Sequence, residues 1–236
     1  MSLQGKRVLV TRAAEEAPEL EDLLRQRGAV PVRFPCIEFE DGRDLEEIVL
    51  ALEKRPDLVV VSSPHAARRL KELSTSEDQI FAAVGAATAA LLPGKAITPS
   101  RGAGAQALVE ELRARVRGKR VLVPRAEGGT RELVDGLRSA GANVEALTLY
   151  RTVTPRSADL SLLRALDAIS FASGSAVRGF VALAGAQAAR RCAVACIGAA
   201  TAAAAGDAGI RVDAQGDEGM IGLCDALALA LVRRNG

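Results

Sequence analysis

Tryptophan is absent from this 236-residue chain, and tyrosine occurs once, at position 150. With only five phenylalanines besides, few flat rings remain on which nucleic-acid bases could stack, which argues against a single-strand-binding role. Charge of one sign is lacking too: the formal net charge is +2, which does not suggest a polyanion-coating surface of the kind that grips DNA by counterion release. Histidine also occurs once, as His65, and the four cysteines, Cys36, Cys192, Cys196 and Cys224, are scattered. Cys192 and Cys196 stand four apart, but no second close pair and no second histidine complete a zinc ligand set. Buried thiols in a reducing compartment are the expectation. No apolar run of 18 residues and no cleavable leader are found, so a cytoplasmic protein that binds neither membrane nor nucleic acid is expected.

What is present is a duplication. Residues 5–29 (GKRVLVTRAAEEAPELEDLLRQRGA) and 118–142 (GKRVLVPRAEGGTRELVDGLRSAGA) align without a gap and share 15 of 25 residues. DLVVVSSPHAARRLKEL from Asp57 is echoed by DAISFASGSAVRGFVAL from Asp167, and GAATAA occurs at Gly85 and again at Gly198. A repeat of about 113 residues is too long for a solenoid unit and describes one α/β module used twice. Hydrophobic content of 49% can build a core in each copy, made of Val, Leu, Ile and Ala. Arginine outnumbers lysine 26 to 5. That excess fits a GC-rich genome, and it also fits an acidic ligand, because guanidinium grips carboxylate bidentately.

Short aliphatic runs alternate with helical patterns throughout. RVLVTR, VPVRF, LVVVSS, AAVG, AITPS, RVLVPR, VEALTLY, AISFAS, VACIG and IRVDA read as strands. Helices are expected over 15–27, 65–73, 105–116, 130–140 and 220–234. Strands alternating with helices imply parallel sheets covered on both faces. Each copy holds five strands, with an extended, proline-containing break after the second (FPCIEFEDGRD and TLYRTVTPRSAD), whereas Arg117, Gly118 and Lys119 join the copies by a tight turn. Boundaries fall where the chain is loosest. One domain is therefore expected to combine 1–34 with 152–236 and the other to span 39–149, with hinge strands at 34–39 and 146–152.

A small polar or glycine-bearing turn leads into a helix after strand upon strand: SSPHAA, GAATAA, SRGAGAQA, PRAEGGT, ASGSAV, GAATAA again and QGDEGM. In open parallel sheets ligands settle outside these strand ends, and helix N-termini there offer free N–H groups to carboxylate or phosphate. Taken singly, each corner is better explained by N-caps and turn formers. Seven corners on two facing domains can meet one acidic ligand together.

Other motifs carry less. Gly102, Gly104 and Ala107 spell G-x-G-x-x-A, but ITPS is a poor preceding strand and no acidic residue follows at the right place. No P-loop lysine occurs, and a Ser-His-Asp triad could use only His65, around which nothing resembles a nucleophile elbow. His65 reads as a cap-region or rim residue. The Glu15-Glu16, Glu46-Glu47 and Glu110-Glu111 runs read as solvated helix faces. Tyr150 stands in a hinge strand, where a structural tyrosine and a proton donor are both open readings.

VLVTR with Arg12, VVVSSPHA with Ser62 and Ser63, AVGAATAAL with Gly85 and Thr88, VLVPRAEGG with Arg125, LTLYRTV with Tyr150, FASGSAV with Ser173, and CIGAATAAA with Gly198 and Thr201 occur in this order. Together they resemble the uroporphyrinogen-III synthase family over essentially the whole chain. Gly174 departs from the proline usual in the second S-P motif, and Ala87 and Ala200 stand where the family often carries bulkier or polar residues. The resemblance implies two flavodoxin-like domains joined by a two-stranded hinge. It also implies a cofactor-free cyclisation of hydroxymethylbilane, a linear tetrapyrrole with eight carboxylates, to uroporphyrinogen III with loss of water and inversion of ring D. The implied route passes through an azafulvene and a spiro intermediate. On this resemblance Tyr150 is the proton donor. Ser62, Ser63, Gly85, Thr88, Ser173, Gly198 and Thr201 form the substrate-holding corners, and Arg12 and Arg125 are counter-charges. A monomer is expected, with hydroxymethylbilane as its small-molecule partner and a transient contact with hydroxymethylbilane synthase. The alternative is a two-lobed module that binds an organic polyanion without converting it; a nicotinamide oxidoreductase is a weaker rival.

Overall fold

A computed structural model describes residues 3–73, 78–129, 131–217 and 219–235. In chain order the strands are β1 (Arg7–Val10), β2 (Val30–Arg33), β3 (Glu38–Asp41), β4 (Leu58–Val61), β5 (Phe81–Ala83), β6 (Ala96–Ile97), β7 (Arg120–Ala126), β8 (Asn143–Val153), β9 (Ala168–Phe171), β10 (Ala193–Cys196) and β11 (Ala214–Gln215). The α-helices are α1 (Ala17–Gln26), α2 (Leu45–Glu53), α3 (Pro64–Glu72), α4 (Ala86–Ala89), α5 (Ala105–Leu112), α6 (Glu132–Ser139), α7 (Gly174–Ala184), α8 (Ala199–Asp207) and α9 (Met220–Asn235). Two compact units result, one of Met1–Phe39 with Thr152–Gly236 and the other of Glu40–Arg151. No helix among the described residues is long and apolar enough to cross a membrane.

Each unit carries its own sheet. The first has the strand order β11-β10-β9-β1-β2, all parallel. The second has the order β3-β8-β7-β4-β5-β6, and its β4 to β8 are mutually parallel. Numbered by position in the repeat, both sheets read 2-1-3-4-5, the flavodoxin order. Neither sheet comes from one copy: β1 and β2 of the first copy lie with β9 to β11 of the second, and β7 and β8 of the second lie with β4 to β6 of the first.

The alternation of strand side chains sets the cores. In the first unit Val8 and Val10 face α1 and α9 through Leu20, Leu24, Leu223 and Leu227. Leu9 faces the other way, onto Phe171, Val177, Phe180 and Val194, as a period of two requires. The Phe34 and Phe171 rings meet Phe180 edge-on at 6.3 and 5.5 Å. In the second unit Val60, Val121 and Val123 pack with Leu108, Leu112, Leu133 and Leu137. Two buried hydroxyls bond to main chain: Thr11 Oγ1 donates to Ser170 O and Ser170 Oγ to Leu9 O, each at 2.7 Å. Glu21, nearly buried, accepts from Arg33 at 2.6 and 2.8 Å and from Arg25 at 3.0 Å. The Arg33 hydrogen bond leads in holding its carboxyl below the usual range. All four cysteines are buried free thiols.

The elements differ from the sequence pattern in places. The strand expected over 210–214 begins only at Ala214, because the Asp213 carboxylate takes the Val194 N–H at 2.9 Å and occupies the ladder position before it. The helix expected to reach Val116 ends at Leu112. There Arg115 N–H turns back onto Leu112 O at 2.8 Å, while Val116 still buries its side chain. Thr130, expected to open α6, and Glu218 of the QGDEGM corner lie outside the described residues.

Candidate functional site

A parallel sheet of this order reverses its strand direction of growth between the first and third strands, and the loops leaving those two strands part to open a crevice. In the second unit these strands are β7 and β4. At the end of β4, Ser62 is exposed and Ser63 caps α3, its Oγ accepting the Ala66 N–H at 3.1 Å. Pro64 comes next, at the first helical position, where a missing N–H costs nothing.

Tyr150 arrives from β8, which lies beyond β7 from β4. In the β7–β8 ladder Arg125 pairs with Thr148 but Ala126 with Tyr150, so Leu149 is an extra, bulged residue that re-aims the strand beyond it. The Tyr150 carbonyl accepts Glu127 N–H at 2.8 Å, its side chain is 7% exposed, and its hydroxyl lies 3.0 Å from Ser63 Oγ. His65, in the first turn of α3, meets the Tyr150 ring edge-on with centroids 4.5 Å apart. Arg125, at the end of β7, donates from Nη1 to Gly129 O at 3.0 Å, while its Nε is buried without a hydrogen-bond partner.

The first unit repeats the frame with different chemistry. Ser173 caps α7 by accepting the Ala176 N–H at 3.1 Å. Arg12 also has a buried, unpartnered Nε, but its other nitrogens are engaged: Nη2 with Glu16 Oε2 at 2.9 Å and Nη1 with Met220 Sδ at 2.8 Å. With side chains 11% and 13% exposed, Arg12 and Glu16 largely cancel each other's charge. At the place that Tyr150 takes in the second copy, the first copy has buried Ile37.

The GAATAA corners bury their threonines, Thr88 at 4% and Thr201 at 6% exposure. Their glycines, Gly85 and Gly198, cap α4 and α8 with extended backbone at φ −179° and −176°, a conformation open to any residue. A Cβ at Gly198 would meet nothing within 4 Å, and one at Gly85 only Ala103 Cβ at 3.8 Å. A Cβ would therefore fit at either corner. Of the residues singled out in the sequence, Ser63 and Tyr150 come together. Ser62, Gly85, Thr88 and Arg125 sit in the same unit, and Arg12, Ser173, Gly198 and Thr201 belong to the other. His65, expected as a cap-region or rim residue, lies in the capped first turn of α3, and its contact with the Tyr150 ring is what the sequence did not show.

Residues 18–221 match the family model described as Uroporphyrinogen-III synthase HemD. The chain belongs to the uroporphyrinogen-III synthase family. It is 30% identical over 200 residues to the uroporphyrinogen-III synthase of Synechococcus elongatus, covering 77% of this chain and 75% of that protein. To the chloroplastic uroporphyrinogen-III synthase of Oryza sativa it is 28% identical over 221 residues, covering 86% of this chain and 73% of the relative. The fold is that of the Helicobacter pylori uroporphyrinogen-III synthetase structure, with a TM-score of 0.65 at 18% identity over 97% of this chain and 99% of that one. A Thermus thermophilus uroporphyrinogen III synthase mutant gives 0.57 at 19% identity, over 97% and 100%. Family membership excludes the nicotinamide reading and leaves nothing to favour a binding module without catalysis.

Proposed function

We propose that this protein closes hydroxymethylbilane to uroporphyrinogen III, losing water and inverting ring D, and that Tyr150 is the acid of the first step. The observation that carries the assignment of the acid is the Tyr150–Ser63 hydroxyl pair, 3.0 Å apart at the switch-point crevice of a family member. Departure of hydroxide from the hydroxymethyl group requires a proton. The Tyr150 O–H supplies it, the C–O bond breaks, and water leaves an electron-poor pyrrole methylene. The proton released when the newly joined ring regains aromaticity returns to the phenolate, so no net acid is consumed and no cofactor is called for.

Holding the chain curled is the larger task, because the linear substrate can also close without inversion. Each tenfold preference between the two closures needs about 1.4 kcal/mol of differential stabilisation. The acetate and propionate groups are held by main-chain N–H groups at the Ser62–Ser63, Gly85, Ser173 and Gly198 corners, with Thr88 and Thr201 buried beneath the two GAATAA corners. Arg125 offers its free Nε edge as a counter-charge; Arg12 must share its charge with Glu16. The protein works as a cytoplasmic monomer and takes its unstable substrate from a transient encounter with hydroxymethylbilane synthase.

The test is to supply freshly made hydroxymethylbilane and separate the product isomers. Type III is expected, and type I alone overturns the proposal. A second prediction isolates the corners. Because a Cβ at Gly198 meets nothing, Gly198→Ala should change stability by no more than about 0.5 kcal/mol. Yet it should raise KM about tenfold by keeping one carboxylate from the α8 amides, a loss of about 1.4 kcal/mol. Thermal unfolding and steady-state kinetics on the same preparation check both halves.

A further inference from the structure

Ser63 has more to do than cap a helix. Its Oγ already accepts the Ala66 N–H at 3.1 Å, which leaves its own O–H as the group to be placed, and the Tyr150 oxygen stands 3.0 Å away. Between two hydroxyls either can donate. If Tyr150 donates, its proton is spent on Ser63 and points away from any ligand. If Ser63 donates, the Tyr150 O–H is turned outward and the phenolate left after proton transfer keeps a hydrogen bond. The helix favours the second arrangement: α3 has nine residues and begins at Pro64, and the positive end of its dipole lies beside the developing negative charge.

We infer that Ser63 is a positioning residue that donates its hydroxyl proton to the Tyr150 oxygen, aiming the phenol proton outward and stabilising the phenolate that forms. The inference rests on the reading of Tyr150 as the acid. It also accounts for the asymmetry of the duplication. Ser173 caps α7 with the same 3.1 Å bond to Ala176, but where Ser63 has Tyr150 as its neighbour, the corresponding place in the other copy holds Ile37. Capping alone therefore needs no tyrosine, and the hydroxyl pair is an addition to one unit.

Composition makes the inference measurable, because Tyr150 is the sole tyrosine and tryptophan is absent. Phenolate absorbance in the near ultraviolet thus reports this one residue in the intact protein, with or without substrate. Three variants separate capping from donation. Ser63→Thr keeps the cap and the donor. Ser63→Asp keeps a good cap but presents only an acceptor to the phenol, and Ser63→Ala removes both. His65, the titratable ring against Tyr150, is common to all three and cancels in the comparison.

The phenolate transition of Ser63→Thr should coincide with that of the wild type. Those of Ser63→Ala and Ser63→Asp should move to higher pH by about one unit or more, as loss of a hydrogen bond to a charged group implies. In Ser63→Ala kcat should fall at least tenfold with KM little changed; in Ser63→Asp kcat should fall as far, KM should rise as well because the added carboxylate repels the substrate's own, and the wild-type melting temperature should be kept. An undisplaced transition in Ser63→Ala and Ser63→Asp overturns the inference while leaving Tyr150 as acid intact. A displaced transition with undiminished turnover overturns it from the other side, by removing Tyr150 as the acid.

Discussion

Tyr150→Phe is expected to lower kcat about a hundredfold while the product remains type III. General acid catalysis by a positioned side chain contributes about a hundredfold to ten-thousandfold, and the lower end applies because the leaving group departs from an activated pyrrolic carbon. Phenylalanine keeps the ring against His65, where the centroids lie 4.5 Å apart, and loses only the hydroxyl 3.0 Å from Ser63. The cost to stability is one neutral hydrogen bond, about 1 kcal/mol, so a folded variant will be available for assay. On the proposed mechanism ring inversion is imposed by how the substrate's carboxylates are held, which phenylalanine leaves untouched. Uncatalysed closure gives the type I ring in free solution, so the isomer ratio has to be read with enzyme in excess over substrate. An unchanged kcat would remove Tyr150 from the mechanism, and a switch to type I under enzyme excess would make it a conformational rather than an acid residue.

The fold class was legible because duplication shows every strand–turn–helix unit twice. Where the pattern erred, a side chain had intervened in the backbone: Asp213 occupies ladder positions that IRVDA would have filled. The parallel order of the sheets is harder to read, since two copies of 2-1-3-4-5 can be built within each repeat or from halves of both, with the same hydrophobic pattern. The site was legible as a list of corners but not as a geometry. Ser63 and Tyr150 are 87 residues apart in sequence, and their meeting depends on β7 lying between β4 and β8 and on the bulge at Leu149. Neither leaves a mark in one sequence. The same limit applies to Thr88 and Thr201, whose residue type suited ligand binding but whose side chains turn inward. It applies to Arg12 too, whose pairing with Glu16 four residues on became visible only when both proved nearly buried.

Gly179→Ala is expected to destabilise the first unit by about 2 kcal/mol or more, against its helix propensity. Gly179 lies inside α7, where alanine is worth about 1 kcal/mol more than glycine in an unconstrained helix. Here the Cβ would fall 1.9 Å from the Cys36 carbonyl oxygen and 2.9 Å from its carbon. The obstacle is backbone, and that backbone is tethered, because Cys36 N–H donates to Thr11 O at 3.1 Å. The segment after β2 cannot retreat without breaking that bond, and α7 cannot retreat without drawing Phe180 and Val177 from a core in which both are fully buried. Overpacking of this kind costs about 1 to 3 kcal/mol and at times more. For a chain of this length a loss of about 2 kcal/mol lowers the melting temperature by roughly 4 to 8 °C. Gly206→Ala in α8 is the control, since a Cβ there meets nothing within 4 Å; it should leave the melting temperature unchanged or raise it. If Gly179→Ala behaved like this control, the close packing of α7 on the segment leaving β2 would be wrong. The glycine, which stands where the first copy has Arg69, would then have no part in building one sheet from two halves.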